Sequence, residues 1–139
     1  MFERYTEKAR RVIFFARYEA STYGSPYIEV AHFLLGLLRE DFPTIRLVAN
    51  GEEIRVRRAI EALCRDTGQK IAASVDIPLS HSCRRVLLYG EEEADRLGHE
   101  LIGPQHLLMG SAADARSGSR SPGKRRDRVD APSVQLPAG

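Results

Sequence analysis

Apolar residues recur at three- and four-residue steps through most of the first 110 positions, which is the spacing of one helix face. The first such stripe consists of Ala9, Val12, Ile13, Ala16, Ala20 and Tyr23. Thr6 precedes it as an N-cap, because its hydroxyl can accept from free backbone amides, and Gly24 follows as a residue suited to end a helix. The pattern predicts an amphipathic first helix that begins after Thr6.

A second helix is predicted from Tyr27 to Arg39, where leucine and phenylalanine residues point in every direction around the axis. A helix that is apolar all round is buried, and this one is too short to cross a bilayer. Gly36 lies within it, although glycine costs roughly 1 kcal/mol against alanine in a helix. We therefore expect another backbone to approach Gly36 closely.

Two further helices and a linker are predicted before the pattern starts again. Pro43 suits the first turn of a short third helix, because its missing N–H would be unpaired there. A fourth helix is predicted from Glu52 to Asp66, with its arginines on the solvated face, and Gly68 ends it. Residues 69–77 are predicted to form a linker.

The opening pattern returns 74 positions later, as His32 and His106 (106 − 32) and Gly36 and Gly110 (110 − 36) illustrate. The matched pairs are Thr6 and Ser80, Arg10 and Arg84, Arg11 and Arg85, Gly24 and Gly98, His32 and His106, and Gly36 and Gly110. Such self-similarity indicates one structural unit used twice. We predict repeat one over residues 2–68 and a partial repeat two over 78–110, with structural roles for the paired glycines and histidines.

After Gly110 the apolar period stops, and residues 111–139 are rich in serine, glycine, proline and arginine. This composition is typical of disorder, so we predict one domain over residues 1–110 and a disordered basic tail over 111–139. Repeat two then lacks counterparts of the third and fourth helices. We expect that gap to leave apolar surface partly uncovered, with consequences for stability or self-association.

Charge separates two function classes. The 139 residues are 42% hydrophobic with a net charge of +2. Residues 111–139 hold six basic and three acidic residues, a charge of +3, which leaves −1 for the first 110 residues. The body therefore gives no reason to expect nucleic acid. An alternative stays open in which Lys124, Arg125, Arg126 and Arg128 give salt-sensitive nucleic-acid binding, although the tail has no aromatic residue to stack on bases.

No catalytic or metal site can be assembled from these residues. His32 and His106 have no second ligand at metal spacing, so each ring is expected to bond to a neighbouring backbone carbonyl or carboxylate. Cys64 and Cys83 lack the spacing of a zinc or disulfide motif. We predict no enzymatic activity, no cofactor, no metal and no small-molecule substrate.

Two further segments bear on ligands and location. Gly118 to Arg125 is close to a phosphate-binding loop, but Arg125 stands where a Ser or Thr would bind magnesium, so ATP binding is not expected. The N-terminus mixes acids and bases without an apolar run, which indicates no signal peptide. A cytoplasmic protein without a membrane partner is the expectation.

Both copies follow the pattern [T/S]-x-x-A/C-R-R-V…E-A-x-x-x-G-x-x-x-I-x-x-x-H-x-L-x-G. Over residues 2 to about 110 the chain resembles the double Clp N-terminal repeat of Clp family AAA+ unfoldases, closest to the ClpC type, whose chains open similarly with F-x-R-[FY]-T-E-K-A-R-x-V. The resemblance implies an all-α bundle with pseudo-twofold symmetry between repeats. It also implies a non-catalytic module that receives adaptor proteins and substrates destined for a partner peptidase.

For such a module, recurrence of polar residues on corresponding faces of both halves places the expected protein-binding surface on the exposed sides of the two repeat-start helices and in the groove where the halves meet. The expected polar contacts are Thr6, Arg10, Arg11, Ser80, Arg84 and Arg85. The expected partners are Clp adaptors or substrates, with a Clp ATPase or peptidase as further candidates. An alternative that stays open is that the paired arginines only solvate a face or bridge to acidic residues.

One departure concerns phosphorylated arginine. In ClpC-type relatives the residue before the motif histidine is usually Glu and helps to hold phosphoarginine on substrates. This chain has Ala31 and Gln105 there, and neither offers a carboxylate to a guanidinium. The sequence therefore argues against phosphoarginine docking, although the hydroxyls of Thr6 and Ser80 could still hydrogen-bond to phosphate.

Overall fold

The computed structural model describes residues 2–40, 43, 46, 50–117 and 133–134. Within these ranges the elements in chain order are α1 (Glu7–Tyr23), α2 (Val30–Glu40), α3 (Glu53–Leu63), β1 (Ile77–Pro78), α4 (His81–Arg96), α5 (Pro104–Ser117) and β2 (Ser133–Val134). The predicted all-α class is confirmed, since the strands are only two residues long. The short third helix predicted after Pro43 falls on residues 41–49, most of which lie outside the described ranges.

The predicted helix boundaries at the start of each repeat are confirmed. The hydroxyls of Thr6 and Ser80 each accept from the backbone N–H three residues later, at 3.1 Å. These bonds satisfy one of the amides that a helix N-terminus leaves free. Gly24 and Gly98 have φ angles of 68° and 73°, a region that glycine adopts without the strain of a Cβ.

The first two helices of each repeat cross at a glycine. A Cβ built on Gly36 would lie 2.5 Å from the carbonyl oxygen of Val12, and one built on Gly110 would lie 2.2 Å from that of Val86. No side chain fits in so small a gap, so α1 lies directly against α2 and α4 against α5. The predicted backbone approach at Gly36 is confirmed, and repeat two reproduces it.

Backbone segments exchanged between the repeats join the two halves. Tyr5 pairs with Ile102 in the loop between α4 and α5, while Ile28 in the loop between α1 and α2 pairs with Leu79. Each bridge is closed by two backbone hydrogen bonds of 2.8 to 3.0 Å, and all four residues are buried. The second bridge is the first with the repeats interchanged. The bundle therefore has the expected pseudo-twofold symmetry.

The prediction of disorder after Gly110 is wrong for residues 111–117. α5 continues to Ser117, the Ser111 side chain is buried, and Nε of Arg85 donates to Oδ1 of Asp114 at 2.6 Å. Contacts with α4 hold these last turns in place of an apolar stripe, so the helical domain extends beyond residue 110. Farther along the predicted tail, β2 pairs antiparallel with β1. Residues 118–132 and 135–139 lie outside the described ranges.

Residues 69–77, expected to be a linker, are fastened to α1. Arg17 is fully buried, and its guanidinium donates to the carbonyl oxygens of Ala72 and Ala73 at 3.4 Å and to that of Val75. This contact was not predicted from the sequence. The available signal was one arginine among the apolar positions of the first helix.

Candidate functional site

An open groove of about 690 Å³ lies at the junction between the repeats. Thr6 and Lys8, at the start of α1, line one side of it, and residues of the 98–106 segment line the other. The two sides are joined where the Thr6 N–H donates to the Ile102 carbonyl at 2.9 Å. The groove is therefore a product of the exchange between repeats.

Arg4 holds the loop that forms the repeat-two side of the groove. Its guanidinium donates to the Asp95 carboxylate at 2.9 Å and to the carbonyls of His99 at 3.3 Å and Glu100 at 3.0 Å. A guanidinium suits this role, since it presents several donors in fixed directions. Repeat one thus positions a loop of repeat two.

The exposed side chains along the groove are chemically mixed. They include those of Lys8, Glu100, Leu101 and Gln105, with the exposed His99 ring beside them, and Leu101 is 56% exposed. Together they supply a cation, a carboxylate, an apolar contact and an amide that can both donate and accept. An extended peptide could satisfy all four through its backbone and a few side chains.

His106 forms a buried part of the groove wall. Its Nδ1 accepts from the Gly103 N–H at 2.9 Å, so the neutral ring carries its proton on Nε2, which lies 2.9 Å from Nδ1 of His99 and donates to it. Burial lowers the pKa of His106. The charges of His99 and Arg4 lower this pKa further, whereas that of Glu93 raises it. We therefore expect His106 to be neutral at pH 7.

His32 occupies the matching position in repeat one. Its Nδ1 accepts from the Glu29 N–H at 2.9 Å, and burial lowers the pKa of His32 to about 4. Both histidines thus fasten the turn that begins the second helix of their repeat. The predicted hydrogen-bond partner of these rings, a backbone carbonyl or a carboxylate, is wrong. Nδ1 of each ring accepts from a backbone N–H instead.

The six residues expected to bind protein have different environments. Thr6 lines the groove, whereas Ser80 caps α4 at the other exchanged segment. The guanidinium of Arg11 donates to Glu40 at 2.7 Å, as that of Arg85 does to Asp114. For these two arginines the structure therefore shows a bridge between helices.

The other two arginines lie near the first turns of the repeat-start helices. Arg10 donates to the Phe2 carbonyl at 3.0 Å, and Arg84 contacts the ring of His81. Of the two positions that precede the motif histidines, Gln105 is exposed in the groove and Ala31 is half-buried. Lys8, His99 and Leu101 were missed as groove residues, since which loops meet depends on the exchange between repeats.

The remaining candidate chemistry is limited. Among the described residues, no group of three or more His, Cys, Asp or Glu could hold a metal ion, and no helix there is long and apolar enough to span a membrane. Burial raises the pKa of the Cys64 thiol to about 11 and also raises that of Cys83. Both thiols should stay protonated at neutral pH, which disfavours nucleophilic chemistry.

Comparison with known proteins agrees with this architecture. Residues 4–121 match the family model of the Clp repeat (R) N-terminal domain. The chain is 37% identical over 111 residues to the chloroplastic chaperone protein ClpC of Pisum sativum and to the ClpA homolog, an ATP-binding subunit of the ATP-dependent Clp protease, of Porphyra purpurea. Each alignment covers 79% of this chain but only 12% and 14% of those relatives.

Solved structures share the fold. The N-terminal domain of the chaperone ClpD from Arabidopsis thaliana is 31% identical, with a TM-score of 0.64, and the match covers 86% of this chain and 88% of that one. The Hsp104 N-terminal domain from Candida albicans has a TM-score of 0.68 at 17% identity, covering 82% of this chain and 77% of that one. At 17% identity, the Hsp104 match supports the fold alone.

Proposed function

The chain belongs to the Clp repeat N-terminal domain family, and from this membership we propose that it is a protein-interaction module of a Clp chaperone and protease system. It docks adaptor or substrate polypeptides and performs no catalysis. A Clp ATPase or peptidase completes the proposed set of partners, and the cytoplasm is the proposed location.

The single observation that carries the proposal is the groove between the repeats. Its polar and apolar groups are exposed together on a wall that Arg4 and the exchanged backbone hold in place. A prearranged wall reduces the conformational entropy that is lost when a peptide binds.

A direct test measures binding of a permanently unfolded polypeptide. Fluorescein-labelled, reduced and carboxymethylated casein would be titrated with the 139-residue chain and followed by fluorescence anisotropy. We expect saturable binding that Leu101→Glu weakens about tenfold, because the substitution replaces an apolar contact at the groove with a second carboxylate beside Glu100. Ile54→Glu is the matched control, because Ile54 is 70% exposed on α3 and does not line the groove.

Equal affinity for Leu101→Glu and Ile54→Glu, or no binding at all, would refute docking at the groove. A parallel titration with duplex DNA at two salt concentrations tests the alternative class. That alternative depends on Lys124, Arg125, Arg126 and Arg128, which lie outside the described residues. DNA binding that is lost with residues 118–139, together with no casein binding, would favour it.

A further inference from the structure

Repeat two exposes apolar positions whose counterparts in repeat one are covered. The pairs are Leu35 and Met109, Tyr23 and Leu97, and Leu38 and Ala112. Leu35 is 2% exposed and Met109 is 37% exposed. Leu38 is buried and Ala112 exposed, while half-buried Tyr23 is matched by exposed Leu97. We call the surface formed by Leu97, Met109 and Ala112 the open face.

The chain itself shows what covers this surface in the other half. α3 packs against α2 in repeat one, where Ile60 is buried and Val56 and Cys64 reach the core. In the part of the chain that the structure describes, no helix takes the corresponding place against α5. β2, the described segment beyond α5, pairs with β1 and contacts α1.

Charge beside the open face also matches that arrangement. In repeat one, burial raises the pKa of Glu19, and the positive charges of Arg39 and of Arg57 in α3 oppose that shift. Glu93 is the counterpart of Glu19 in repeat two, and its side chain is 29% exposed while it accepts from Arg96. A basic side chain on an incoming helix would therefore experience the Glu93 carboxylate as Arg57 experiences that of Glu19, by electrostatic attraction beside its ion pair with Glu61.

We propose that the open face binds an amphipathic helix of a partner protein in the way that α3 covers α2. The pattern of α3 defines the occupant: medium-sized apolar residues at positions i, i+4 and i+8, as in Val56, Ile60 and Cys64, with an arginine after the first. This surface is separate from the groove, so the inference goes beyond the proposed function and does not depend on it.

The probe is a peptide of residues 52–64 of this chain, labelled with fluorescein and stapled between positions 58 and 62, which are exposed in α3. The staple is needed because an isolated helix of this length is marginal in water. Titration with the 139-residue chain should show saturable binding. Met109→Glu in the chain, or Ile60→Glu in the peptide, should weaken it at least about tenfold, and Ile54→Glu in the chain should leave it unchanged.

Met109→Glu is expected to fold, because the side chain is partly exposed, and an unchanged circular dichroism spectrum checks this. Absence of peptide binding, or equal binding to Met109→Glu, would overturn the proposal. Sedimentation analysis of the chain alone gives a second outcome: a dimer abolished by Met109→Glu would show that a second copy covers the face, which also overturns it. Casein binding at the groove should persist in Met109→Glu, so the two proposals can fail separately.

Discussion

Nε of Arg85 donates to Oδ1 of Asp114 across 2.6 Å, and the two side chains are only 19% and 12% exposed. Arg11 and Glu40 form the equivalent bridge in repeat one. In each repeat the pair ties the end of the second helix to the start of the first. In repeat two the acidic partner, Asp114, lies beyond Gly110, the last residue of the apolar pattern.

Truncation should distinguish the helical part of the predicted tail, residues 111–117, from residues 118–139. Removal of residues 111–139 should lower the free energy of unfolding by about 3 kcal/mol, because Arg85 then loses its partner in a partly buried site. Removal of residues 118–139 should lower it much less. Urea unfolding followed by circular dichroism gives both values, and equal losses would contradict the role of α5 residues 111–117.

The helix crossing predicts a large effect from one methyl group. Gly36→Ala should destabilise the fold by about 1 to 3 kcal/mol, despite the better helix propensity of alanine, because the new Cβ would overlap the Val12 carbonyl. Gly110→Ala should destabilise the fold for the same reason, because its Cβ would overlap the Val86 carbonyl. Arg58→Ala, at an exposed position of α3, is the control. Chemical unfolding midpoints unchanged by Gly36→Ala would refute the close approach.

His32 should make stability depend on pH. Its pKa is about 4 in the folded protein, against about 6.5 in the unfolded chain. Between these values the unfolded state binds a proton that the folded state does not. The contribution of neutral His32 is therefore complete above pH 6.5 and is lost as pH falls towards 4, by up to about 3 kcal/mol.

The check is His32→Asn, which keeps an acceptor for the Glu29 N–H but cannot titrate. The stability advantage of the original chain over His32→Asn should shrink as pH falls from 6.5 to 4, although titrating carboxylates affect both proteins. Urea unfolding at several pH values measures the difference. Parallel profiles for the two proteins would show that His32 is not held neutral.

Arg17 should control access to the segment between α3 and β1. Arg17→Met keeps much of the apolar stem but leaves the carbonyls of Ala72, Ala73 and Val75 without their donor. Trypsin should then cut after Lys70 about tenfold faster, since local opening becomes easier. Arg58→Met provides the matched control at an exposed site. An unchanged rate of cleavage after Lys70 would contradict the clamp.

Apolar spacing and capping residues were sufficient to predict the helices from Thr6 to Gly24 and from Ser80 to Gly98. The glycines at 36 and 110 also predicted a close approach before its partner was known. These features depend on local backbone geometry and on side chains within one helix. The 74-residue repeat added that the cap, the glycine contact and the buried histidine of one half recur in the other.

Contacts between distant segments could not be predicted in this way. Nothing local to Tyr5 or Ile102 indicates that they pair, so the sequence alone did not place Lys8 and Leu101 in one groove. The ordering of residues 111–117 depends on Arg85, which lies in another helix, and the fastening of residues 69–77 depends on buried Arg17. The sequence determined the helices and their duplication, whereas tertiary structure decided the groove, the extent of α5 and the open face, because each depends on residues that only folding brings together.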